Sequence, residues 1–213
     1  MLHLSFSVEG AEPAPFTAGP TVALKLRVTG PTDVPVHAAL LRCEARVEAA
    51  RRTYAPREKE ALLDLFGEPS RWGRTLHALP WTQATLLVPA FRGEVVVDLP
   101  LPCGTDFDAS IAKYFEALEA GDVPLTLLFS GTVFHARADG ALSATPLPWT
   151  SEARFDLPVS VYRDAYERHH PGRALLAIPR DVLERLRRYK ATSGAATWAQ
   201  AIDALLSEHE ERR

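Results

Sequence analysis

This sequence is short of the residues that mark specialised proteins. Among 213 residues there are two cysteines, Cys43 and Cys103. That scarcity excludes a disulfide-stapled scaffold and a cysteine-rich zinc module, and it fits a reducing compartment. Two cysteines permit one bridge, but each reads more simply as a small buried hydrophobe. No apolar run approaches the roughly 20 residues needed to cross a bilayer. The opening MLHLSFSVEG lacks the basic and long apolar regions of a secretory signal. The expectation is a cytoplasmic protein without membrane insertion. Basic residues are mostly arginine, and the net charge of −3 supplies no field for nucleic acid or anionic lipid. No glycine-rich phosphate loop, internal repeat or low-complexity segment occurs.

Hydrophobic periodicity is abundant. Leu2, Leu4, Phe6 and Val8 alternate with polar residues, a strand read as ending at Gly10, with an extended connection from Ala11 to Pro20. Val22 to Val28 alternates and closes at Gly30-Pro31, and Leu41 to Val47 alternates against a charged outer face. Trp81 to Val88 and Glu94 to Leu99 follow. The organising stretch is Val123 to Trp149, a long strand, a turn at Ala138-Asp139-Gly140 and a return to Pro146. Leu125, Leu127, Phe129, Gly131 and Val133 share one face, and Leu128 and Phe134 make the other partly apolar. Such a strand belongs in the middle of a sheet. Gly131 is either a bulge or a place where another group approaches closely, the latter read here as a side chain such as an indole. Glu152 to Pro158 is the last strand.

Two stretches in this region change period. Pro56 to Phe66 reads as a helix stopped by Gly67, and Glu68 to Pro80 as a loop or short helix. Thr105 to Leu118 reads as a helix with Thr105 and Asp108 as a capping box. From Val159 the pattern turns helical: Val159 to His169, Arg180 to Ala191, and a helix opened by a Thr197–Gln200 capping box. The fold expected is mainly β, an antiparallel β-sandwich, Ig-like or related, of about seven to nine strands. Helices are inserted into it and a helical C-terminal appendage follows. The division expected is a sandwich over 1–158 and a helical segment packed on it over 159–213.

Candidate chemistry is sparse. The seven histidines show no pairing at metal-ligand spacing, and His169-His170, as neighbours on a helix, point apart. No metal site and no cofactor are expected. Cys103 precedes a helix, where a thiol pKa can fall, so it is a candidate reactive thiol. Asp106 and Asp108 are explained by helix capping, without the further oxygens of a calcium loop. Ser130-Gly131-Thr132 lacks the context of a nucleophile elbow, so no catalytic residue is assigned. Trp72, Trp81 and Trp149 are candidates for an aromatic ligand groove. Ala174 to Leu206 looks like the strand, helix, turn and helix of ribbon-helix-helix DNA-binding proteins. Its strand from Ala174 to Ile178, however, carries no hydrogen-bonding side chains to read a groove, so nucleic acid is disfavoured as a partner.

Several strings in fixed order resemble an uncharacterised bacterial family of unknown function. They are LFG at 65–67, SRWG at 70–73, LPCGTDFD at 101–108, KYF at 113–115, LLFSGTVF at 127–134, PLPW at 146–149 and Thr197-Trp198. The similarity spans nearly the whole chain. Genes of that family often lie beside nickel–iron hydrogenase genes, so the resemblance implies an accessory or assembly role with a protein partner, and it implies no catalytic residues. The leading functional expectation is a non-enzymatic accessory or interaction protein, serving hydrogenase maturation or assembly. The alternatives are a ligand-binding sandwich and a DNA-binding C-terminus.

Overall fold

The computed structural model describes residues 3–104, 109–137, 139–173 and 178–211. Two antiparallel sheets face each other across one apolar core, as the alternating strands demand. The smaller sheet is ordered β1 (Ser5–Pro13), β2 (Thr21–Thr29), β5 (Glu94–Pro102). The larger runs β4 (Leu79–Val88), β3 (Val36–Val47), β6 (Asp122–Ala136). Two strands then share the far edge of β6. Its first half, Asp122 to Leu128, pairs with β8 (Glu152–Pro158), and Thr132 to Ala136 pairs with β7 (Leu142–Pro146).

The fold class is therefore as expected, with β6 in the middle of its sheet. Inward residues of both sheets are fully buried, including Leu24, Leu26, Leu41, Leu99, Leu125 and Leu127. Each such leucine contributes about 1.5–3 kcal/mol by leaving water. Phe6 of β1 stacks on Phe129 of β6 with ring centroids 4.3 Å apart.

Gly131 is a correction. Its φ is +148°, and a Cβ added there would lie 2.1 Å from the carbonyl oxygen of Leu40. The group that comes close is the backbone of β3, not an indole, because Gly131 sits opposite Leu41 in the ladder. A second difference concerns β1, which continues past Gly10 to Pro13. A register shift between Val8 and Ala11 absorbs the glycine as a bulge instead of ending the strand.

The expected helix at 56–66 forms as two short helices, α1 (Pro56–Ala61) and α2 (Leu63–Phe66), with Gly67 at φ +68° as the stop. The ambiguous stretch after it contains α3 (Trp72–Thr75). The next helix, α4, runs Ala109–Ala117, and its expected Thr105–Asp108 cap lies outside the described residues. Three helices follow: α5 (Val159–His169), α6 (Arg180–Ser193) and α7 (Trp198–Glu210).

The chain divides into two compact units, Met1–Gly172 and Arg173–Arg213. The first unit thus extends beyond the boundary expected at 158 and takes in α5. Val159, Tyr162 and Ala165 are buried in its core, and the Val159 N–H donates to Gly121 O at 2.9 Å. In the second unit α6 ends on Gly194 in the left-handed conformation, and Thr197 caps α7 reciprocally with Gln200 as expected. The strand expected from Ala174 lies outside the described residues through Ala177. Among the described residues no helix is long and apolar enough to cross a membrane.

Candidate functional site

Three places in the first unit gather chemistry or exposed apolar surface, and the residues picked out by the sequence fall unevenly among them. Trp72 and Trp81 are core anchors. The Trp72 indole N–H donates to Gly67 O at 2.9 Å, and its ring meets Tyr54 and Phe66 edge-on. Trp81 packs against Phe115 and Tyr162, which are stacked on each other at 3.8 Å. Burial pushes the Tyr162 and Tyr114 hydroxyls far up. These rings tie α3 to α2, and α4 and α5 to β4. Trp149, by contrast, is 92% exposed in the turn between β7 and β8. The structure does not bring the three indoles into one groove.

Cys103 is buried at the end of β5, and Cys43 is buried on β3; both are free thiols. Burial pushes the Cys103 thiol up to about 12, while its hydrogen bond with the Val22 backbone acts the other way. That is opposite in direction to the depression a helix N-terminus would supply. The carbonyl of Cys103 accepts from Tyr166 Oη at 2.6 Å, a further structural tie. Among the described residues no three His, Cys, Asp or Glu side chains converge to hold a metal ion.

An open cleft of about 600 Å³ lies beside Arg51, Arg52, Thr53, Glu119, Asp122 and Asp156. Its floor is an ion pair that the sequence reading did not anticipate. Arg52 Nη2 lies 2.8 Å from Glu58 Oε1, with only 7% and 4% of the two side chains exposed. Arg52 also donates to the carbonyls of Asp122 and Ala120, and Glu58 accepts from the backbone N–H groups of Ala55 and Glu119. The charges thus satisfy one another and pin α1 to the approach to β6. Among the described residues Arg52 Nε is buried without a partner, but it is sealed from solvent. The two side chains are near in sequence, but the backbone groups that fix them belong to 119, 120 and 122, and nothing local links those positions to 52 and 58.

The third place is the outer face of the larger sheet. Leu40 on β3 and Leu87 on β4 stand directly opposite each other, 48% and 66% exposed. The same cross-strand row continues through Thr132 to Pro146. The adjacent row carries Ala38, half-buried Phe134 and Ala144. Side chains of one row share a face and touch their neighbours, so these residues form one contiguous strip that is apolar but for Thr132. A legible signal existed. Leu40-Leu41 and Leu86-Leu87 are adjacent leucines in alternating strands, and one of each pair must face outward.

No curated protein matches the chain. Among solved structures, the beta-glucosidase from Kluyveromyces marxianus aligns at 9% identity and a TM-score of 0.27. The alignment covers 73% of this chain but 15% of that protein's length, and a likeness so slight carries no argument. A family model matches residues 1–213 from end to end. The chain belongs to that family, which is described as a family of unknown function, DUF6084.

Proposed function

We propose that this protein is a non-enzymatic interaction protein that docks a protein partner on the outer face of its larger sheet. The observation that carries the reading is the exposed pair Leu40 and Leu87 with the apolar row beside it. A solvated sheet face ordinarily alternates to polar residues, and apolar surface left on it marks a contact. The partner's matching surface is apolar, with polar groups at its rim. The resemblance to a family encoded beside hydrogenase genes makes a nickel–iron hydrogenase subunit or maturation factor the first partner to test.

Affinity purification of the full chain from its host provides the test, comparing wild type with Leu40→Asp/Leu87→Asp. The expected result is a hydrogenase component recovered with wild type, retained by Arg27→Ala and lost from the double variant. Identical co-eluting proteins from all three would refute the docking face. A purified protein that turns over a substrate and loses activity on Cys103→Ala would refute the non-enzymatic reading.

A further inference from the structure

The second unit, Arg173–Arg213, cannot bury its own apolar residues. Among its described residues only Ala201 is buried. Val182 of α6 and Trp198, Ile202, Leu205 and Leu206 of α7 remain exposed. A unit near the lower limit of independent folding gains stability by oligomerising when it lacks a disulfide or a metal.

The charges around the open apolar face say what covers it. Helix α6 carries five basic and two acidic residues, a net +3, while α7 carries Asp203, Glu208 and Glu210 and no lysine or arginine, a net −3. Part of this charge is used inside the hairpin. Arg187 pairs with Glu184, Tyr189 Oη donates to Glu208, and Lys190 Nζ donates to Ala196 O while lying 5.7 Å from the Trp198 ring centroid. The outer charges remain. Among the described residues no ion pair is formed by Arg185, Arg188, Asp203 or Glu210. At about 100° per residue, Arg185 and Arg188 flank Val182 on the outer side of α6. By the same spacing Asp203 and Glu210 flank Ile202 and Leu206 on the outer side of α7. One rim of the apolar face is basic and the other acidic.

We infer that two copies of this chain associate through their α6–α7 hairpins, forming an antiparallel four-helix bundle about a twofold axis. The axis sets α6 of each copy against α7 of the other, so each basic rim meets an acidic one while the apolar stripes close between them. Opposite charges segregated in this way are what a self-complementary twofold contact needs.

Sedimentation of the full chain across a concentration series tests the inference. The expected species is twice the 23.4 kDa chain, weakening with added salt because its rims are screened. Asp203→Arg/Glu210→Arg and Arg185→Glu/Arg188→Glu should each weaken self-association at least about tenfold, since like charges then face each other. Mixing these two variants should restore a mixed dimer, because both rim contacts become complementary again. All four positions are exposed, and circular dichroism verifies that the variants keep their helices. A monomer at every concentration overturns the inference and leaves the face to the rest of the chain or to another protein. A dimer indifferent to both variants, or a mixture that stays monomeric, overturns it as well.

Discussion

The outer faces of the two sheets differ around Leu40 of β3, beyond which Arg46 and Glu44 pair on the same strand. On the smaller sheet, Lys25 is bracketed by Glu12 at 2.7 Å and Asp98 at 2.8 Å, while Arg27 pairs with Glu9 and Glu94. Each cation on β2 thus bridges carboxylates of β1 and β5. On the larger sheet the corresponding strand centre carries Leu40 opposite Leu87. Both faces cover the same core, so the need to fold does not explain the difference. Charged cross-strand ladders keep a face solvated, and an apolar row invites a partner. On the proposed reading, the contrast separates a surface that stays in water from one that docks a partner.

The contrast depends on how closely β3 and β6 pack, and Gly131→Ala should break it most severely. The methyl group would meet the Leu40 carbonyl, and the +148° backbone angle at Gly131 is strained for any other residue. A loss of about 4 kcal/mol or more in urea unfolding is expected. A loss below about 1 kcal/mol would show that the strands part easily.

Beneath the two faces each sheet supplies one buried thiol, and these predict a pH dependence. Burial raises Cys43 and Cys103 from 9.0 to about 12, with Glu44 adding to the effect at Cys43. A group whose folded pKa is raised contributes stability that is whole below its unfolded pKa. That stability is lost as pH rises through the window, here from 9.0 to about 12. The limiting slope is about 1.4 kcal/mol per pH unit for each thiol. Cys103→Ala should flatten the alkaline limb of a stability–pH curve, and an unchanged limb would assign it to the tyrosines.

Smaller effects sharpen the comparison of the faces themselves. Arg27→Ala should cost little stability, and less still in high salt, because its pairs are exposed and screened. Leu87→Asp should change stability by no more than about 0.5 kcal/mol while reducing partner recovery. Thermal unfolding measures both. A Leu87→Asp protein that unfolds far more easily would make that face part of the core.

Much of this architecture was legible locally. Period-two runs located β2 and β6, a Thr197–Gln200 box located α7, and Gly67 was read as a helix stop. The limits of β1 and the true neighbour of Gly131 were not legible. A bulge and a close approach depend on the partner strand, which sequence spacing does not name. The candidate residues fared according to the same rule. The apolar character of Trp72 and Trp81 was plain, but whether an indole fills a core or lines a groove depends on the elements packed over it. Helix α2 supplies that cover for Trp72, and α4 and α5 supply it for Trp81.

The sequence by itself determined the mainly β class, the order of its elements and the absence of long apolar runs, because these follow from residue spacing along the chain. Only the tertiary structure decided which of Leu86 and Leu87 faces solvent, and that Arg52 and Glu58 meet Glu119, Ala120 and Asp122 on the floor of a cleft. It also decided that Leu40 and Leu87 stand side by side. Cross-strand register sets each of these juxtapositions but the cleft, which depends on how helix and strand converge, and both are properties of packing between segments distant in the chain.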